Sequence, residues 1–202
     1  MSKPTLVVGI TGGISTGKST FARRLHDLTG ARLFDADRAA RRLTDEDEEV
    51  RTAVREHFGP EIFSATGDLN RGALRAIVFA DQGKKRALEQ ILHPRIRQQW
   101  ATEAEHSRRS GDIFLADIPL LYETEGEKLC DRVVVVACAQ EIQLQRLIAR
   151  TRLTIADALR MIESQMPLPE KISRADHVVW NNGPLAALEA QAQLMARYLT
   201  AN

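Results

Sequence analysis

Eight residues near the amino end, Gly12-Gly13-Ile14-Ser15-Thr16-Gly17-Lys18-Ser19, constrain this chain more than any other feature. They complete the spacing G-x-x-x-x-G-K-S, follow the β-rich run Thr5–Ile10 and lead into a helical stretch from Ser19 to Leu25. Strand, glycine turn and helix in that order form a loop whose backbone N–H groups point inward, with the positive end of a helix dipole behind them. Such a loop cradles phosphates. Gly12, Gly13 and Gly17 let the backbone curl, Lys18 reaches β and γ oxygens, and the Ser19 hydroxyl is placed to ligate Mg²⁺. The loop alone does not separate a kinase from a GTPase or an ATPase.

Short apolar runs recur at Ala31–Phe34, Ile113–Ala116, Val133–Ala137 and His177–Trp180, with helical patterns between them. Together with the first run they predict an α/β fold of three layers around a five-stranded parallel sheet. Between the second and third strands the chain reads as mostly helical for too long to be an ordinary crossover. The expected organisation is a nucleotide-binding core of residues 1–37 and 111–202, and a helical substrate-binding insertion of residues 38–110. Within the insertion, one helix should stop near Gly59-Pro60, Gly59–Asn70 reads as a loop, and Asn70 can cap a helix reaching Phe79. A long helix, Lys84–His106, should be interrupted or bent at Pro94. Beyond the fourth strand, Glu141–Arg150 and Thr154–Gln165 read as helices of a lid spanning about residues 141–170, the second capped by Thr154 with Asp157. Pro167 and Pro169 should end that region, and Pro184 suits the first position of a terminal helix.

Among 202 residues the formal net charge is +1, which gives no field that would draw nucleic acid. No apolar stretch approaches the roughly 18–20 residues that span a bilayer. Met1-Ser2-Lys3-Pro4 leads into a short apolar run without a cleavage-site pattern, so the reading is a cytoplasmic enzyme with neither membrane nor nucleic acid as partner. Cys130 and Cys138 flank the Val133–Val136 run and read as buried thiols, not as a zinc site.

Three groups of polar residues sit where chemistry at a phosphate would need them. Asp35 and Asp37 follow the second strand, at the sheet edge that also carries the loop. In an extended segment they would point to opposite sides, so one of them could face the γ-phosphate and accept a proton from an attacking alcohol. The residues alone do not choose between them. Asp117 ends the third strand and reads as an acid of the metal shell. Arg146, Arg150 and Arg152 form a basic elbow after the fourth strand, suited to a lid that closes over the transferring phosphoryl group and excludes water.

Beyond the loop, the segments Asp35-Ala36-Asp37, Leu92-His93-Pro94, Asp117-Ile118-Pro119-Leu120-Leu121-Tyr122-Glu123, Gln165-Met166-Pro167 with Lys171, and Arg174-Ala175-Asp176 run through almost the whole chain. With Arg146 and Arg150, the chain resembles the dephospho-coenzyme A kinase family. That resemblance implies ATP-dependent phosphorylation of the ribose 3′-hydroxyl of dephospho-coenzyme A, with Mg²⁺. It implies that Gly13, Ile14, Ser15, Thr16, Gly17, Lys18, Ser19, Thr20, Arg146 and Asn182 bind ATP, the last in the Asn181-Asn182-Gly183 turn near the adenine. Lys18 and Arg150 then act on the phosphoryl group, Asp37 is the general base, His93 lies with Asp37 in the acceptor site, and Ser19 and Asp117 hold the metal. The chain departs from the family pattern in two places: Ser15-Thr16 stands where the family usually has glycine followed by serine, and Thr151-Arg152 replaces an Asp/Asn–glycine pair at the elbow. The rivals are a kinase of another nucleoside or small alcohol, and a nucleotide switch that transfers nothing.

Overall fold

The computed structural model describes residues 5–201, so the Met1–Pro4 lead-in lies outside the described residues. In chain order the elements are β1 (Leu6–Gly12), α1 (Lys18–Thr29), β2 (Arg32–Asp35), α2 (Ala36–Glu46), α3 (Glu48–Phe58), α4 (Arg71–Ala80), α5 (Gln82–Ser110) and β3 (Ile113–Asp117). They continue as β4 (Arg132–Ala137), α6 (Gln140–Thr151), α7 (Ile155–Glu163), α8 (Leu168–Ser173), β5 (His177–Trp180) and α9 (Leu185–Thr200). Two compact units divide the chain: one runs to Asp35 and resumes at Ala101, and the other is Ala36–Trp100.

The first unit is built on a five-stranded, wholly parallel sheet in the order β2-β3-β1-β4-β5. Every second strand residue faces α1 and α9: Val8, Ile10, Leu115, Val134, Val136 and Val179 pack with Phe21, Leu25, Leu188 and Leu199. The alternate residues Val7, Phe114, Ala116, Val133 and Val135 are equally buried, so the sheet is covered on both faces and its polar side chains lie at or near the strand ends. The expected three-layer α/β fold is therefore present. β1 lies centrally between β3 and β4; from it the chain passes to β2 at one edge, returns to β3, and then crosses β1 to β4 on the other side. That reversal of strand order opens a crevice at the carboxyl ends of the strands.

The second unit has its own core of Leu43, Val50, Val54, Phe58, Ile62, Leu69, Leu74 and Ile91. Asp47 caps α3 by accepting the Val50 N–H at 3.0 Å, and Asn70 caps α4 by accepting that of Ala73 at 3.0 Å. The Gly59–Asn70 loop is closed by a bridge between Phe63 and Leu69 and by Arg51, which donates to the Gly67 carbonyl at 2.6 Å.

Several local expectations need correction. α2 starts at Ala36, immediately after β2, because Ala36, Ala39 and Leu43 recur at helical spacing and are buried. Asp37 is thus helical, and the argument that alternation turns Asp35 and Asp37 to opposite sides does not apply. α5 is not interrupted at Pro94 but runs for 29 residues through it. The proline removes one N–H donor, while Leu88, Ile91, Leu92 and Ile96 pack into the second core on both sides of it and hold the helix together. Pro167 and Pro169 do not end the helical region: α8 begins directly after Pro167, with Pro169 in its first turn, where the missing N–H costs nothing. Pro184 precedes α9 as its cap residue instead of occupying its first position. Among the described residues no helix is long and apolar enough to cross a membrane.

Candidate active site

The loop between β1 and α1 is set by contacts that leave no room for side chains at its glycines. A Cβ on Gly12 would overlap the Val136 carbonyl oxygen, and one on Gly17 would overlap the Asn181 amide. Gly17 also has φ 95° and caps α1. Thr16 closes the turn by donating its hydroxyl to the Gly13 carbonyl at 2.9 Å. Three amide side chains hold the loop from outside. Asn181 donates to the Thr16 carbonyl at 2.8 Å, Gln143 donates to the Ile14 carbonyl at 2.9 Å, and Gln165 accepts the Ile14 N–H at 3.1 Å. Ser15 adopts the left-handed conformation at φ 59°, the backbone freedom that the glycine of the family pattern would supply without strain. Its hydroxyl is buried and has no partner.

At the floor of the loop Lys18 and Asp117 form a buried ion pair, the lysine 8% and the aspartate 2% exposed. Burial pushes the Asp117 carboxyl above the usual range; Lys18 and a hydrogen bond from Ser19 pull it back, while Asp35 pushes it up further. Register explains this grouping, because Asp117 lies beside Ile10 of β1 on one side and Asp35 of β2 on the other. The loop lysine, the loop serine and two strand-end carboxylates therefore converge at one point of the crevice. A hydroxyl next to a carboxylate is a hard-oxygen donor set suited to Mg²⁺, which keeps waters and phosphate oxygens for its other positions. Among the described residues no cluster of three or more His, Cys, Asp or Glu side chains is placed to hold a metal ion.

Arg146 and Arg150 lie on α6, which follows β4. Arg146 is half-buried, donates a hydrogen bond to the Cys138 sulfur, and keeps one guanidinium nitrogen buried without a partner. Burial raises the Cys138 thiol, and Arg146 opposes that rise. Arg150 is exposed. α6 ends at Arg152, whose φ of 58° makes the turn that the family pattern gives to glycine. α7 starts from Thr154, which accepts the Asp157 N–H at 3.1 Å as the spacing predicts. A cavity of about 460 Å³ opens between the start of α6 and the α7–α8 connector, lined by Gly13, Cys138, Gln143, Met166, Ile172 and Trp180 among others. Asn182 accepts the Ala139 N–H at 2.7 Å, which fixes the turn after β5 against the start of α6.

The remaining candidates belong to the second unit. Asp37 is exposed in the first turn of α2. His93 is half-buried on α5, and burial lowers its pKa, so it is neutral over a wider pH range than a free imidazole.

Sequence reasoning gave no role to Gln143, Gln165 or Asn181, which grip the loop, nor to Lys171, a lysine without solvent exposure. Amides that act on backbone carry no motif of their own. Gln165, Lys171 and Asn181 stand in the sequence only as members of family segments, and Gln143 in none.

Comparison with known proteins bears on the family and the fold. A family model described as dephospho-CoA kinase matches residues 6–187. A protein of Bacillus licheniformis named dephospho-CoA kinase is 41% identical over 188 residues, covering 93% of each chain. A crystal structure from Thermus thermophilus superposes with a TM-score of 0.77 at 34% identity, covering 98% of this chain and 100% of the other. A shikimate kinase from Acinetobacter baumannii shares the fold at a TM-score of 0.55 and 16% identity, covering 96% of this chain and 92% of the other. The chain belongs to the dephospho-CoA kinase family.

Proposed function

We propose that this chain transfers the γ-phosphoryl group of ATP to the ribose 3′-hydroxyl of dephospho-CoA, giving CoA and ADP. The observation that carries this reading is the family match over residues 6–187 in a chain whose loop lysine and serine both meet Asp117. The hydroxyl oxygen bonds to the γ-phosphorus, the bond to the bridging oxygen of ADP breaks, and the hydroxyl proton passes to a carboxylate. The transition state is loose, so positioning and charge stabilisation carry most of the catalysis.

Each residue then has a task. The N–H groups from Gly13 to Thr20 bind the phosphates, and Lys18 leaves Asp117 for their oxygens. Ser19 and Asp117 would hold Mg²⁺, which supplies charge neutralisation between the phosphates when bound. Arg146 offers its unpartnered guanidinium nitrogen to the nucleotide, and Arg150 closes over the γ-phosphoryl group. Asn182 lines the adenine end. Asp37 takes the hydroxyl proton, and His93 binds the acceptor; both of these assignments rest on the family motifs. Residues 38–110 serve as the CoA-binding insertion and residues 141–170 as the lid. The reaction belongs in the cytoplasm, with neither nucleic acid nor membrane as partner.

The test is acceptor dependence. ADP release from Mg-ATP is measured with dephospho-CoA, pantetheine phosphate, adenosine and shikimate in turn. Release that rises only with dephospho-CoA supports the reading. Equal release without any acceptor makes the chain a nucleotide switch, and a larger response to another alcohol makes it a different kinase.

A further inference from the structure

Lys171, on α8, has 0% solvent exposure and lies beside the start of the phosphate loop. Its ammonium donates to the Pro119 carbonyl at 2.8 Å and to the Gly12 carbonyl at 3.5 Å, and Glu123 supplies the counter-charge at 2.9 Å. The Pro119 carbonyl also accepts the Thr11 hydroxyl at 3.0 Å. Glu123 in turn accepts the Met166 N–H at 2.9 Å. One ammonium thus joins the last residue of β1 to the turn two residues beyond Asp117, and its counter-ion holds the connector between α7 and α8.

Burying a cation is costly, and an apolar side chain of similar length would fill the same space without that cost. Burial lowers the Lys171 pKa, Glu123 opposes this, and the nearby Lys18 adds to it. What the ammonium supplies, and a methionine could not, is directional bonding to two carbonyls, one at the end of β1 and the other in the turn after β3. Those carbonyls belong to the two segments that carry the loop and the acid of the Lys18–Asp117 pair.

We propose that Lys171 is a positioning residue of the phosphate loop, holding Gly12 and the Pro119 turn in register so that the loop and Lys18 meet phosphate in one geometry. The expected effect on turnover rests on the phosphotransfer reading; the effect on nucleotide affinity does not.

The test compares wild type, Lys171→Met and Glu123→Gln by calorimetric titration with Mg-ADP, by steady-state kinetics and by melting. Lys171→Met is expected to bind ADP about tenfold more weakly and to lose kcat about 10- to 100-fold, with the KM for dephospho-CoA within about twofold. Glu123→Gln should move ADP affinity the same way by a smaller factor, since its amide still accepts a hydrogen bond. A Lys171→Met protein that melts lower yet keeps wild-type ADP affinity and kcat overturns the proposal and leaves Lys171 a packing residue. Should Lys171→Met not fold, Glu123→Gln decides: weakened ADP binding at an unchanged melting temperature supports the proposal, and wild-type affinity overturns it. A wild type that binds ADP but phosphorylates no dephospho-CoA refutes the phosphotransfer reading, and the ADP titrations still judge Lys171.

Discussion

Lys18 and Asp117 neutralise each other at the floor of the phosphate loop, one from the first turn of α1 and the other from the last residue of β3. On the proposed function, a triphosphate entering the loop would compete with Asp117 for the ammonium, and the same contact would serve stability and binding. Lys18→Met should cost about 3 kcal/mol of stability, because it strands a buried carboxylate. Adding Asp117→Asn should restore most of that loss, whereas activity should stay absent in both variants. Chemical denaturation of the two single variants and the double variant measures the coupling. Additive losses would mean that the pair contributes nothing to the fold.

Arg152 ends α6 in a left-handed conformation that glycine adopts without strain. Arg152→Gly should therefore stabilise the protein by about 0.5–1 kcal/mol. Arg152→Ala keeps the strain and loses a cation at a helix carboxyl end, so it should gain nothing. Melting temperatures of the two variants compare the effects directly. Ser15→Gly should act in the same direction as Arg152→Gly.

Much of this architecture could be read from the residues, and the failures have physical causes. The loop, the five strands and the Asn70 and Thr154 caps were legible because each is a local pattern with its own turn chemistry. Asp37 is helical and not extended because the helical spacing of Ala36, Ala39 and Leu43 outweighs continuation of β2. An interruption at Pro94 does not occur because Ile91 and Ile96 pack into a common core, which is not visible in a propensity. The Lys18–Asp117 pair joins residues 99 positions apart. Only the register of β1 against β3 brings them together, and no local signal encodes that register.

Stability should fall at high pH, and Cys130 should account for part of the fall. Its thiol is pushed from 9.0 to about 12, by burial first and then by Asp131 and Glu127. The folded thiol stays neutral while the unfolded chain begins to ionise near pH 9. This contribution is therefore complete below that value and is lost as pH rises from 9 toward about 12. Tyr122 adds in the same direction, from 10.0 to about 12. Denaturation midpoints at about pH 8 and about pH 10.5 should differ less in Cys130→Ala than in wild type. An equal fall in both would remove Cys130 from the account.

The base assignment separates two neighbouring carboxylates. Asp35 lies in strand register with Asp117, and Asp37 lies in the first turn of α2. Asp37→Asn should lower turnover about 10²- to 10⁴-fold with an unchanged melting temperature. Asp35→Asn should act chiefly on magnesium and nucleotide affinity. A larger loss of turnover at saturating Mg-ATP in the Asp35 variant would transfer the role of base to that residue.

Product identity tests the central claim most directly. The purified chain is incubated with Mg-ATP and dephospho-CoA, ADP and the phosphorylated product are quantified together, and the phosphate is located by phosphorus NMR. The account predicts one CoA per ADP, with the new phosphate on the ribose 3′-oxygen. ADP formed without CoA, or a phosphate on any other oxygen, would contradict it.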